Sequence, residues 1–171
     1  VFWVPLQALR DPALVERAIG TSIGADDAVN GYVANKRLLV LLDNFEQVIE
    51  AATTISSLLT GTPNAVVLVT SREPLHIDSE RRYPVEPLPD GDAAVLFVER
   101  ARAIEPSFRH TGSVGEICRR VDGLPLAIEL VAARLVVLPP AQILRALDEG
   151  LALEMEGPVD LPERQRTLRA A

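Results

Sequence analysis

Two charged side chains stand directly behind the most apolar stretches of the chain. Asp43 ends the run Leu38–Leu42, and Arg72 follows the run Ala65–Val69 in the sequence Thr70-Ser71-Arg72. Uninterrupted apolar runs of this length predict strands buried on both faces of a parallel sheet, and open α/β folds place ligands at the carboxyl ends of such strands. An acid and a guanidinium there could hold a magnesium-bound triphosphate, with the acid toward the metal and the arginine toward the terminal phosphate.

A structural explanation of Asp43 is equally open at this point. Short side-chain acceptors suit the first position of a helix, so Asp43 and Asn44 could simply cap a helix that starts near Phe45. A triphosphate site also needs a phosphate-binding loop, and the sequence contains neither G-x-x-x-x-G-K-[ST] nor G-x-G-x-x-G. The glycines at 20 and 24 form no such loop, because no lysine follows them and no strand precedes them.

The elements around these residues alternate between strand and helix. We expect a strand near the edge of the sheet at Val1–Pro5, a helix after Asp11-Pro12 to about Ile19, a loop at 20–24 and a helix over 26–36. Apolar residues at helical spacing predict an amphipathic helix over Phe45–Leu59, between strands at 38–43 and 65–70. Such a βαβ unit makes its two strands parallel, so Asp43 and Arg72 should emerge at one edge of the sheet.

The second half of the chain is predicted to be helical. After a proline-rich stretch with a short strand at Arg82–Val85, the apolar spacing changes at about residue 90 and stays helical. The predicted helices cover 92–104, 113–121, 124–138 and 140–149. We therefore expect an α/β part at 1–89, a helical part at 90–150 and a linker at 151–171.

Composition excludes several classes of function. The net charge of −7 and the 4% aromatic content argue against direct nucleic-acid binding, which needs clustered cations and stacking rings. The single cysteine, Cys118, excludes an internal disulfide or a cysteine-based zinc site, and we expect it to pack inside a helix. The two histidines, His76 and His110, lack metal-ligand spacing. No apolar run is long enough to cross a membrane, so a cytoplasmic location is expected.

Three motifs together resemble one family. Leu38–Val48 (LLVLLDNFEQV), Val66–Leu75 (VVLVTSREPL) and Ile117–Leu135 (ICRRVDGLPLAIELVAARL) resemble the NB-ARC type of STAND ATPases, especially those of large actinobacterial transcriptional regulators of the LuxR and AfsR kinds. The closing stretch Leu161–Ala170 (LPERQRTLRA) resembles the lead-in to their winged-helix subdomain. The resemblance implies an incomplete P-loop NTPase-like α/β subdomain, followed by an all-helical subdomain.

The resemblance also implies roles for individual residues. Asp43 matches the Walker B acid that orders magnesium, with Asn44 beside it. Arg72 matches the sensor-1 arginine that faces the γ-phosphate of ATP. Gly123-Leu124-Pro125-Leu126 matches the loop whose proline lies against adenine, so Gly123, Pro125 and Leu126 are expected at the nucleotide. For the loop alone, a helix start with proline in its first turn is an alternative interpretation.

Two departures from the family pattern bear on catalysis. Asn44 occupies the position where the family often has a second acid, and an amide cannot act as a general base. Glu46 could replace that acid, although a solvated glutamate on a helix is the competing expectation. The phosphate-binding loop and its strand should lie upstream of Val1, which leaves the edge of the strand that ends at Thr70 without a partner.

These observations lead to a main prediction and two alternatives. We expect part of an ATP- and ADP-dependent signalling switch, in which bound ADP holds a closed state and ATP opens it, within a longer protein that would be a slow ATPase. The 171 residues alone should bind nucleotide weakly or not at all and be inactive. The expected partners are the P-loop strand and winged-helix subdomain of the longer chain, with a homo-oligomer possible. The alternatives are a degenerate scaffold for protein interaction and a hydrolase that uses Glu46.

Overall fold

A three-stranded parallel sheet forms the centre of the first half of the chain. The computed structural model describes residues 1–25, 29–33, 36–109 and 112–150. The strands are β1 (Phe2–Pro5), β2 (Leu38–Asp43) and β3 (Ala65–Val69), and they lie in the order β1-β2-β3. Val40 of β2 pairs with Phe2 on one side and with Val67 on the other. The predicted parallel strands are therefore confirmed, including the strand that ends at Asp43. The predicted burial on both faces is wrong for β3, because Val66 and Leu68 are 60% and 52% exposed.

Helices cover one face of this sheet. The connection from β1 to β2 contains a 3₁₀ turn at Pro12–Leu14 and the helices α1 (Val15–Ile23) and α2 (Val29–Val33), and the connection from β2 to β3 contains α3 (Ala52–Thr60). Alternation along the strands directs Val4, Val40 and Leu42 into one core with Ile19 of α1 and Ile55 of α3. This core fixes the position of β2 and of the acid at its end.

Three local predictions in this half are wrong. The residues Gly20–Ile23 are helical, because α1 continues to Ile23 and stops only at Gly24, whose φ of 75° suits a glycine after a helix. The expected helix over Phe45–Leu59 is divided into a 3₁₀ helix at Phe45–Ala51 and α3, with Val48 in a non-helical conformation between its turns (φ −140°, ψ 38°). No strand forms over 82–85, where Tyr83 and Val85 are almost fully exposed and have no neighbouring strand among the described residues.

The second half is helical, as predicted. The helices are α4 (Asp90–Ile104), α5 (Gly112–Arg120), α6 (Pro125–Ala132) and α7 (Pro140–Asp148), with a 3₁₀ helix at Ala133–Val136 after α6. Their shared core contains aliphatic side chains and the ring pair Phe97 and Phe108, and Cys118 is buried in it as expected. The chain divides into two compact units between Tyr83 and Pro84. The predicted linker at 151–171 and His110 lie outside the described residues.

Among the described residues, no helix is both long enough and apolar enough to span a membrane.

Candidate functional site

Asp43 is held at the end of β2 by the neighbouring strand. The hydroxyl of Thr70 donates a hydrogen bond to the Asp43 carboxylate, with 2.6 Å between Oγ1 and Oδ1. The same Thr70 oxygen accepts the backbone N–H of Asn44 at 3.0 Å, so it joins the acid and the turn that follows it. The predicted meeting of these two strand ends at one edge of the sheet is thus present in the structure.

The backbone after Asp43 is bound to the strands on both sides. The N–H of Leu6, just after β1, donates to the Asp43 carbonyl at 2.9 Å, and the N–H of Phe45 donates to the Thr70 carbonyl at 3.0 Å. Asn44 takes a left-handed conformation with φ of 64°, which asparagine tolerates better than most residues. These bonds hold the acid in one position.

The helix-cap explanation of Asp43 and Asn44 is not what the side chains do. Asn44 occupies the position before the 3₁₀ helix, but its side chain caps no backbone group there. Instead its amide donates to Glu46 Oε1 at 3.3 Å, while the Asp43 carboxylate accepts from Thr70. The carboxylate of Asp43 is therefore held by a residue at the end of the neighbouring strand.

Glu46 is more enclosed than a solvated helix residue. Its side chain is partly buried, and its Oε2 atom is buried without a hydrogen-bond partner within the described part of the chain. A buried oxygen without a partner costs roughly 1–3 kcal/mol and commonly marks the place of a water, an ion or a functional group. The expectation of a solvated Glu46 is thus wrong.

The oxygen donors here suit magnesium better than a transition metal. The described residues contain no group of three or more His, Cys, Asp and Glu side chains placed to hold a metal. Magnesium needs no such group, because it is usually held by one or two carboxylates together with waters and substrate phosphates. Asp43 fits that pattern as a single carboxylate ligand, and the Thr70 hydroxyl leaves its second oxygen available.

Arg72 lies beyond the end of β3 on an exposed turn. Its guanidinium makes no hydrogen bond or ion pair with the described residues, while Ser71 Oγ accepts the N–H of Glu73 at 3.1 Å and shapes the turn. The side chain is therefore free to bind an anion.

The loop that follows Arg72 is held by Glu80, whose carboxylate accepts hydrogen bonds from the N–H groups of Leu75 at 3.2 Å and His76 at 2.9 Å.

The Gly-Leu-Pro-Leu motif lies in the second unit, where it completes the turn between α5 and α6 and begins α6. The N–H of Gly123 donates to Cys118 O at 3.0 Å, and the N–H of Leu124 donates to Val121 O at 3.1 Å. Asp122 and Gly123 both have positive φ, 54° and 66°, which gives the turn its type I′ character. Pro125 then occupies the first helical position of α6, where it needs no hydrogen-bond donor.

Gly123 is required by close packing as well as by its conformation. A Cβ at this position would lie 2.6 Å from the carbonyl oxygen of Leu88. The N–H of Leu88 in turn donates to the Gly123 carbonyl at 2.9 Å. The buried glycine therefore packs against the segment before α4 and is hydrogen-bonded to it. Pro125 is exposed and Leu126 is half-buried. Of the three motif residues, Pro125 is the one whose surface is open to a ligand.

Sequence reasoning missed one residue of the candidate site, Thr70. A hydroxyl at the first position after a buried apolar run is the only signal, and it gains meaning when the parallel register brings it beside Asp43. Asp43 and Arg72 belong to the first unit, and Gly123, Pro125 and Leu126 to the second.

Comparison with known proteins identifies longer relatives. The chain is 39% identical over 151 residues to the "Putative HTH-type transcriptional regulator Rv0890c" of Mycobacterium tuberculosis and to the "Putative HTH-type transcriptional regulator Mb0914c" of Mycobacterium bovis. These alignments cover 85% of this chain but 17% of each relative. A further match, to "Uncharacterized protein Rv0894" of M. tuberculosis, has 41% identity over 137 residues, or 77% of this chain and 35% of that protein. No family model matches. The chain is thus similar to one region of proteins that are named as transcriptional regulators.

Proposed function

We propose that this chain is part of an ATP- and ADP-dependent switch within a longer transcriptional regulator. The observation that carries the proposal is the acid at the end of β2, which accepts a hydrogen bond from Thr70 at the end of the neighbouring strand. Arg72 follows Thr70 closely and makes no ion pair with the described residues. The names of the longer relatives support the regulatory part. The NB-ARC-like motifs support the nucleotide part.

Asp43 and Arg72 would have different tasks at a nucleotide. Asp43 would bind magnesium through the carboxylate oxygen that Thr70 leaves available, so it would act on ATP and on ADP whenever the metal is present. Arg72 would bind the terminal phosphate, which ADP lacks. Bound magnesium would neutralise phosphate charge. Of these two residues, Arg72 would therefore make the site more sensitive to which nucleotide is bound.

The helical unit would supply the contact to the base. Pro125 presents an exposed, flat apolar ring without an N–H, which suits packing against adenine. Gly123 would act indirectly, since its close approach to Leu88 fixes the turn that carries Pro125. Leu126, half-buried beside Pro125, would complete the apolar surface.

The remaining parts of the switch would come from elsewhere in the longer protein. The 171 residues contain no G-x-x-x-x-G-K-[ST] sequence, and without such a loop the phosphates have no cradle of backbone N–H groups. We expect the cradle next to β3, and a winged-helix subdomain after the helical unit. The proposed location is the cytoplasm, and no direct contact of this region with nucleic acid is proposed. Hydrolysis, if it occurs, would be slow, because Asn44 cannot act as a base.

Isothermal titration of the full-length protein tests the proposal. We expect ATP with magnesium to bind at micromolar concentration, and Asp43→Asn to weaken ATP and ADP binding by roughly tenfold or more, which corresponds to about 1.4 kcal/mol. Arg72→Ala should weaken ATP by a similar factor and ADP by less than threefold. Arg17→Ala, which removes an exposed arginine from α1, is the matched control and should change neither affinity.

Two results would contradict the proposal. Equal losses of ATP and ADP affinity in Arg72→Ala would remove its role at the terminal phosphate. A full-length protein that binds neither nucleotide would favour the scaffold function instead, which Asn44 and the missing cradle already support. The hydrolase alternative has its own test, because Glu46→Gln should then abolish turnover, whereas the switch proposal expects turnover to be unchanged.

A further inference from the structure

A cavity on the surface of the helical unit combines apolar walls with one acidic and one basic side chain. It lies between the loop at 105–109, which follows α4, and the segment at 135–140, which leads into α7. We call it the Phe108 cavity, and its volume is about 490 Å³. Small-molecule sites commonly measure roughly 300–1,000 Å³, so a small metabolite fits this space. No residue of the candidate nucleotide site lines it.

The floor of the Phe108 cavity is apolar and ordered. Phe108 is only 8% exposed, and its ring packs against Phe97 with 6.1 Å between the ring centroids. The N–H of Phe108 donates to the carbonyl of Glu105 at 2.9 Å, which closes the loop after α4. On the other side, Leu135 and Leu138 are half-buried and pack against the helical core. The apolar part of a ligand would therefore meet a surface that is already in place.

The outer wall is also apolar, although it is open to solvent. Val136 and Val137 are 70% and 67% exposed, and Pro139 and Pro140 follow them in the same wall. Valine and proline side chains have few conformations, so contact with a ligand would cost them little entropy. A cluster of exposed apolar side chains at a cavity is typical of a binding site.

Two opposite charges lie on the remaining wall. Glu105 and Arg109 both line the cavity, and they form no ion pair with each other. The Ser107 hydroxyl donates to Glu105 Oε1 at 3.1 Å, and the second carboxylate oxygen has no hydrogen-bond partner among the described residues. The Arg109 guanidinium likewise makes no hydrogen bond or ion pair within the described part of the chain. One acceptor and one planar cation are therefore available to a ligand.

We infer that the Phe108 cavity binds a free α-amino acid with an apolar side chain. The ammonium group would bind Glu105, the carboxylate would bind Arg109, and the side chain would pack against Phe108 and the valine and proline wall. A simple organic acid would leave Glu105 unpaired beside it, and a simple amine would do the same to Arg109. An internal segment of another protein carries neither charge on its backbone. A zwitterion with an apolar side chain satisfies all three surfaces.

This inference goes beyond the proposed nucleotide switch and does not depend on it. It gives the longer protein a second ligand, and its test uses no nucleotide. Isothermal titration of the full-length protein compares four probes: L-leucine, glycine without the side chain, 3-methylbutylamine without the carboxylate, and N-acetyl-L-leucine without the ammonium. We expect L-leucine to bind with a Kd of about 0.1 mM and the other three to bind at least about tenfold more weakly. Similar affinities for all four probes, or no binding of L-leucine at about 10 mM, would overturn the inference.

Substitutions assign the binding to this cavity. Glu105→Gln and Arg109→Gln should each weaken L-leucine binding by about tenfold. Because both residues are exposed, Tm should change by less than about 1 °C. Glu99→Gln on α4 and Arg145→Gln on α7 are the matched controls, since these residues are also exposed but lie outside the cavity.

The two truncated probes separate the two charges. Glu105→Gln should not weaken the residual binding of N-acetyl-L-leucine, which has no ammonium for Glu105. Arg109→Gln should not weaken the residual binding of 3-methylbutylamine, which has no carboxylate for Arg109. L-leucine binding that survives both cavity substitutions, or that is lost equally in the controls, would overturn the assignment.

Discussion

Thr70 and Asp43 are 27 residues apart in sequence, yet their side chains are joined by a 2.6 Å hydrogen bond at the end of the sheet. The bond exists because the parallel register of β2 and β3 ends both strands at the same level. The threonine that follows β3 thus positions the acid that ends β2, the neighbouring strand of the sheet.

Replacing Thr70 tests this arrangement. Thr70→Val removes the bond to Asp43 and the acceptor for the Asn44 N–H, and we expect a loss of about 0.5–1.5 kcal/mol in the free energy of unfolding. Urea denaturation of the 171-residue chain measures this loss. Thr70→Ser keeps the hydroxyl and should recover most of the stability. If valine and serine cost the same, the hydroxyl does not hold the acid.

Gly123 should be intolerant of any side chain. Gly123→Ala places a methyl group against the Leu88 carbonyl and strains a positive φ, so we expect a loss of about 1–3 kcal/mol. Gly115→Ala in α5 is the matched control, because a Cβ there contacts only the end of Arg119 at 3.9 Å, and alanine favours the helix. The control should therefore be neutral or stabilising in thermal unfolding. Similar Tm changes for both variants would contradict the close packing at Gly123.

Glu80 should make the stability of the fold depend on pH in the acid range. Burial opposes its ionisation, but the N–H groups of Leu75 and His76 and the charge of Arg82 outweigh that effect and hold the pKa of Glu80 below its ordinary value of 4.5. A carboxyl group whose folded pKa is depressed stabilises the fold above its unfolded pKa, and this contribution is lost as the pH falls through the folded pKa.

Unfolding measured at pH 7 and below pH 4 tests this dependence. Glu80→Gln should be less stable than the natural protein at pH 7, and the difference should shrink below pH 4. A difference for Glu80→Gln that persists unchanged at low pH would show that its charge is irrelevant.

Cys118 should be a slow nucleophile in the folded chain. Burial raises the pKa of its thiol, and the nearby Asp90 charge raises it further, although Arg119 acts in the opposite direction. Both burial and the lack of thiolate should slow its reaction with a disulfide reagent at pH 8, by roughly a hundredfold relative to the unfolded chain. Equal reaction rates in the presence and absence of urea would contradict the buried position.

The sequence predicted the strands better than the turns. An apolar run that ends in an acid specified β2 to the residue, although only one face of this strand is fully buried. The 3₁₀ helix after Asn44 was not predictable, because apolar residues such as Val48 and Ile49 have the same spacing as in a regular α-helix. The bend accompanies hydrogen bonds from the backbone N–H groups of Asn44 and Phe45 to Thr70, which the residue pattern does not reveal. The short run at 82–85 has strand-forming residues but no adjacent strand to supply hydrogen bonds.

The candidate site was predictable only where a residue is marked by its place at the end of an apolar run. Asp43 could be found because it ends a strand, whereas the contribution of Thr70 depends on register between strands. The enclosure of Glu46 depends on the bend after Asn44, which the residue pattern does not record.

The bond between the Leu6 N–H and the Asp43 carbonyl has a practical consequence for gene dissection. An expression fragment that starts after Leu6 would delete β1 and the N–H group that supports the acid from one side, although it would keep every motif of the proposed nucleotide site. Loss of ligand binding in such a fragment would then report a displaced backbone rather than a missing contact. Truncations intended to map this region should therefore retain β1.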